Sequence, residues 1–214
     1  MTKIAIIGAG NVGGSLGARL ASSGFAVKYG VRSDKGLDEL LSRSKGATSG
    51  TPGEAAAWAD VVFLAVPAAA AVGVASELAK ALDGKVLVDC NNPLTWKEGP
   101  VWAPPPEGSL SLALAKAAPG AKVVKAFNTF GAEFHADPSL PHGAAADVFY
   151  AGDDADAKKA VAEIAAKAGF RAVDSGPLRN ASVLENLAML WIHLALAAGH
   201  GRTFTLVMQS REPK

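Results

Sequence analysis

The chain has one cysteine, Cys90, so no disulfide can form within it and nothing calls for an oxidising compartment. Neither sign of charge is in excess: 21 Lys and Arg against 20 Asp and Glu give no field that would favour nucleic acid or an anionic membrane surface. No apolar run approaches the ~20 residues that a membrane-spanning helix needs. The opening "MTKIAIIGAG" has a short apolar run ending in glycines, which reads as a buried strand rather than an export signal. Four scattered histidines make no metal-spaced cluster, and no Ser-His-Asp set is visible. A cytoplasmic protein with no metal, no nucleic acid and no membrane partner is the expectation.

What is present is an alternation. At 214 residues the chain can bury one substantial core with a small appendage. Strand-length apolar runs, "KIAIIG", "AVKYGV", "DVVFLAVP", "KVLVDC" and "AKVVKAF", alternate with alanine-rich helical stretches at 12–22, 37–42, 52–58, 69–82 and 109–117. "GATSG" adds a short strand between the second and third helices. The strands are continuously apolar, as expected of strands covered on both faces, so the pattern predicts a parallel, doubly wound sheet. "PVWAPPPEG" at 100–108 reads as a rigid exposed loop. Beyond it, 146–178 reads as strand, helix, strand, with Asp154 capping the helix and Gly169 ending it. The last element, 181–198, is apolar nearly all round, which predicts burial in its own domain or against a partner subunit.

Gly8-Ala9-Gly10-Asn11-Val12-Gly13 is a G-x-G-x-x-G turn between the first strand and helix. Gly8 permits the tight turn, Gly10 lets backbone approach a pyrophosphate, and Gly13 lets helix and strand pack closely. Strand-turn-helix context raises this above a bare pattern and points to a dinucleotide. An NAD site usually places Asp or Glu after the second strand, to accept from ribose hydroxyls. Here the chain reads "VRSDK", with Arg32, Ser33 and Lys35 suited to a 2′-phosphate and Asp34 suited to a local cap or surface charge. NADP(H) is therefore the expected cofactor, against the alternative of a solvated loop.

The blocks "IAIIGAGNVGGSLGARLASSG", "GVRSDK", "ADVVFLAVP", "LVDCNNPL", "KVVKAFNTFGAE", "DVFYAGDDADAK" and "VDSGPLRNASVLE" span nearly the whole chain. In this order they resemble the NADP oxidoreductases that use coenzyme F420, the NADPH-dependent deazaflavin reductases. They are also similar to the NADPH-binding domain of the six-transmembrane metalloreductases. The resemblance implies a Rossmann-type domain over 1–178, with a carboxy-terminal helix and tail over 179–214 packing on the domain or a dimer partner. It also implies a homodimer and hydride transfer between NADPH and a flavin-like acceptor.

Ligands of such folds sit beyond the carboxyl ends of the strands, where "AVP", "NNP" and "FNT" should line one crevice. Ala65, Val66 and Pro67 offer backbone and apolar surface to the nicotinamide and its ribose. Asn92 and Asn128 offer amides to a carboxamide or a second substrate, or serve loop geometry alone. Hydride transfer between stacked rings needs orientation more than acid-base help, so the catalytic residues are unassigned, with Asn128 and His135 as candidates. His135 also reads as a surface-loop histidine, Lys125 as either a buried partner of a carboxylate or a residue that orients substrate, and Cys90 as a small buried thiol at a strand end that approaches the crevice. Trp96 and Trp102 read as a stacking lid for a planar ring or as anchors of the proline-rich loop.

Three functions stay open at this point. One is hydride transfer from NADPH to coenzyme F420 or a related acceptor such as FMN or FAD. The others are reduction of a small imine, carbonyl or quinone, and non-catalytic NADP(H) sensing.

Overall fold

Strands and helices alternate through the computed structural model, which describes residues 1–211. The first half comprises β1 (Lys3–Ile7), α1 (Asn11–Ser22), β2 (Ala26–Gly30), α2 (Leu37–Arg43), β3 (Thr48–Gly50), α3 (Pro52–Trp58), β4 (Val61–Leu64) and α4 (Ala68–Leu82). Then come β5 (Val86–Asp89), β6 (Leu94–Trp96), β7 (Pro100–Trp102), α5 (Leu110–Ala117), β8 (Lys122–Lys125) and α6 (Ala132–Ala136). The chain continues through β9 (Asp147–Gly152), α7 (Ala155–Lys167), β10 (Arg171–Asp174) and α8 (Ala181–Ile192).

Eight strands form one sheet in the order β10-β9-β8-β5-β4-β1-β2-β3. All neighbours are parallel except β8 and β9. The order reverses between β1 and β4, and this switch point places a crevice beyond the carboxyl ends of those strands. Successive strand residues serve opposite faces. Ile4 and Ile6 pack into one core with Leu16, Leu20 and Phe63, while Ala5 and Ile7 enter a second with Ala71, Leu78 and Leu82.

Local chemistry sets several boundaries. Thr51 and Glu54 cap α3 reciprocally, with Pro52 in its first turn. Asp154 Oδ1 accepts from Ala157 N at 2.8 Å, and Gly169, at φ +90°, closes α7 in the left-handed region.

The structure corrects the sequence reading in places. The first part of the expected loop, Pro100–Trp102, is strand β7, paired antiparallel with β6, and the rest of the proline-rich segment follows it with Pro104 and Pro105 half-buried. Leu94, Trp96 and Val101 stay exposed on this hairpin, so alternating burial, the usual strand signal, is missing. The final helix is α-helical only to Ile192 and continues as a π-turn over His193–Ala197. From there the tail returns over the domain: Trp191 Nε1 donates to Phe204 O at 2.8 Å, and Met208 N donates to the buried Asp147 at 2.6 Å. Residues 212–214 of the expected carboxy-terminal segment lie outside the described residues. Among the described residues, no helix is long and apolar enough to cross a membrane.

Candidate functional site

The turn from β1 to α1 is closed by tight backbone packing. Gly8 sits at φ +102°, its N–H donates to Gly30 O at 3.2 Å, and a Cβ there would lie 2.5 Å from Ala65 O. A Cβ on Gly13 would collide with Gly8 O, whereas one on Gly10 would meet nothing within 4 Å. Two of the three motif glycines thus serve packing, and the third leaves open space. Beside that opening α1 begins without a side-chain cap and without an acidic residue in its first turn. Its free N–H groups and positive dipole end suit an anion.

A cavity of about 490 Å³ runs from this turn to the end of β2 and along α4. Of the residues singled out from sequence, Gly8, Gly10, Arg32, Ser33, Lys35, Ala65, Val66 and Pro67 all line it. Asn11, Val12 and Gly13 begin α1 behind the turn instead. Sequence reasoning missed Pro52 and the α4 residues Ala70, Gly73, Val74 and Glu77, whose i, i+3, i+4, i+7 spacing was the available signal. Arg32 and Lys35 are exposed, and among the described residues neither side chain forms an ion pair. Ser33 Oγ accepts from Lys35 N at 3.2 Å, which shapes the turn and leaves its O–H to donate. Cations, a hydroxyl, a bare helix start and a glycine opening in one cleft fit a phosphorylated dinucleotide.

Asn92 and Asn128 do not line this cavity; they tie loops together. Asn92 Nδ2 donates to Asn128 O at 2.8 Å, while Asn128 Nδ2 donates to Asn92 Oδ1 at 2.9 Å and to Leu184 O at 3.1 Å. Asn128 is 4% exposed, and its Oδ1 is buried without a hydrogen-bond partner among the described residues. The preceding residue, Phe127, holds φ +59°, a left-handed conformation costly for a bulky side chain. Its ring is fixed against Phe63 and Phe170, with centroids 5.6 and 5.5 Å away.

His135 is neither on a surface loop nor free to meet a ligand, which corrects that reading. It lies in α6 at 1% exposure, with Nε2 2.9 Å from Phe127 O and Nδ1 3.1 Å from Gly131 O. Burial pushes its pKa down to about 4, outweighing the two carbonyls that favour a proton. The neutral ring donates to one carbonyl only. The short helix that buries it carries too few apolar residues to announce itself in sequence.

Below the asparagine pair lies a charged cluster with no solvent exposure. Lys125 Nζ is 2.9 Å from Asp89 Oδ2 and 3.5 Å from Glu185 Oε1, and it also donates to Asn91 O. Asp89 accepts further from Ser111 Oγ at 2.6 Å and from both nitrogens of Asn91. Glu185 accepts from Trp102 Nε1 at 2.8 Å and from Leu110 N at 2.9 Å. Burial raises the Glu185 carboxyl above its ordinary range, with Lys125 opposing. The cluster joins β5, β8, α5, α8 and the hairpin at one point. Trp102 is thus an anchor through its N–H, whereas Trp96, at 52% exposure, presents its ring outward. Cys90 is buried, and desolvation pushes its thiol up, away from the reactive thiolate. Among the described residues, no group of His, Cys, Asp or Glu is arranged to hold a metal.

Known proteins resemble this chain in sequence and fold. The family described as NADP oxidoreductase, coenzyme F420-dependent, matches residues 3–93. The F420-dependent NADP reductase of Methanothermobacter marburgensis is 33% identical over 90% of this chain and 92% of its own length. The metalloreductase STEAP3 of Rattus norvegicus is 35% identical over 87% of this chain, but the chain spans only 36% of that protein's length. The crystal structure of a candidate F420-dependent NADP-reductase from Arthrobacter sp. FB24 superposes with a TM-score of 0.86. It is 31% identical and covers 97% of this chain and 100% of its own. The chain belongs to the F420-dependent NADP reductases, a family of NADP-dependent oxidoreductases.

Proposed function

We propose that this chain binds NADP(H) in the 490 Å³ cavity and passes hydride between it and coenzyme F420 or a related flavin-like acceptor. The observation that carries the reading is Arg32 and Lys35, unpaired among the described residues, at the rim of the cleft that the glycine turn opens. Gly10 and the first N–H groups of α1 hold the pyrophosphate, with Gly8 shaping the turn; Arg32, Ser33 and Lys35 hold the 2′-phosphate. Ala65, Val66 and Pro67 form the wall for the nicotinamide end. Bound there, the reduced nicotinamide supplies a hydride. The chain's part is to orient the ring and exclude water, which needs no acid-base residue.

In this reading residues 1–178 are the nucleotide-binding unit, and the described part of the carboxy-terminal segment, 179–211, packs on it and serves a homodimer. Val183 and Leu190 on α8, at 63% and 50% exposure, support the dimer, as does Trp96 on the hairpin. A cytoplasmic location accords with a freely diffusing redox partner. The test is NADPH oxidation followed at 340 nm with coenzyme F420, FMN, FAD or a quinone offered singly. Turnover with coenzyme F420 or a flavin is expected. Tight NADPH binding with no turnover on any acceptor would leave a binding protein instead.

A further inference from the structure

The cavity carries an acid that its phosphate chemistry does not use. Arg32 and Lys35 lie at one end, yet Glu77 lines the same space from α4. Among the described residues, the Glu77 side chain has neither an ion-pair nor a hydrogen-bond partner. Glu77 is exposed to solvent, so a ligand that covers its carboxylate must offer a donor in place of water.

Position indicates which donor. Ala70, Gly73, Val74 and Glu77 form one stripe of α4, with Pro52 also lining the cavity. Glu77 lies about 10 Å along the helix axis from Ala70. Glycine within a helix is unfavourable relative to alanine. A Cβ on Gly73 would meet nothing within 4 Å, so no packing demand inside the protein explains it. The helix therefore presents to the cavity a strip of small, apolar residues with a carboxylate about one turn beyond Gly73. That shape suits a flat heteroaromatic ring with an amino group on its leading edge.

We propose that Glu77 reads the 6-amino group of the adenine base, making the site selective for adenine over 6-oxopurine dinucleotides. The proposal rests on the assignment of this cavity to NADP(H). In it the carboxylate accepts from the amino N–H, whereas a 6-oxo group would present an acceptor to an acceptor.

The test is titration of the protein with NADPH and with the analogue carrying hypoxanthine in place of adenine, by calorimetry. Wild type should hold NADPH about fivefold tighter, a hydrogen bond to an exposed charge being worth less than a buried one. Glu77→Ala should bring the two dissociation constants within about twofold of each other. The ratio is the readout, because removing an acid also relieves repulsion of the phosphates. Glu77→Gln, able to donate or accept, should narrow the ratio without inverting it. Arg32→Ala should weaken both ligands alike and preserve it. Equal binding of both ligands by wild type, or an unchanged ratio in Glu77→Ala, overturns the role of Glu77 and leaves the NADP(H) site standing. If neither ligand binds, the site assignment fails and the proposal falls with it.

Discussion

Lys125 Nζ and Asp89 Oδ2 are 2.9 Å apart with no solvent exposure on either side chain, and Glu185 faces the same ammonium at 3.5 Å. The three charges are tolerable only together. Each polar atom of the cluster has a partner, and the pair spans the ends of two adjacent strands, β5 and β8. Lys125→Met should therefore destabilise by about 3–5 kcal/mol, by leaving two carboxylates in low dielectric with no counter-charge. Urea unfolding should show a lowered midpoint with an unchanged slope. A loss below about 1 kcal/mol would mean that water reaches the cluster.

The His135 imidazole makes folding pH-dependent. Its folded pKa, about 4, lies below the usual value near 6.5. The unfolded chain thus binds a proton through this interval that the folded one does not. Stability is fully present above pH 6.5 and falls as pH drops toward 4, by about 3 kcal/mol from this residue at 1.36 kcal/mol per unit. His135→Gln should flatten that slope in denaturation measured between pH 7 and 4. An unchanged slope would place the proton elsewhere.

The two ends of the glycine turn should separate by experiment. Gly13→Ala drives a methyl into Gly8 O, so the melting temperature should fall by several degrees. Gly10→Ala places its methyl in open space, so melting should hardly move while NADPH affinity drops at least tenfold. Equal effects on melting would contradict the division of roles.

Arg32→Ala combined with Ser33→Ala removes two phosphate-directed side chains. NADPH affinity should fall roughly a hundredfold and NADH affinity no more than about twofold, since charge-assisted hydrogen bonds are worth ~1.5–3 kcal/mol each. Calorimetry with both dinucleotides decides it. Parallel losses would place the 2′-phosphate elsewhere.

The candidate cleft was legible because its elements are local. Gly8, Gly10 and the "VRSDK" turn each follow a strand end, where short-range steric and charge rules act within a few residues. Pro52, Gly73 and Glu77 were missed because they enter the cleft only when α3 and α4 pack beside it. His135 was misplaced for a related reason: a histidine after "FNTFGAEF" reads as loop until Phe130 and Phe170 close over that segment. The hairpin was missed because both of its short strands keep apolar side chains exposed.

By itself the sequence determined the alternation of strand and helix, the parallel core of the sheet and the chemistry of the turns after β1 and β2. Those arise from apolar period, glycine placement and charge, which act along the chain. Only the tertiary structure decided which side chains share an interior. Lys125, Asp89 and Glu185, up to 96 positions apart, meet because burying an ammonium requires acceptors on every side, and packing five elements at one point supplies them.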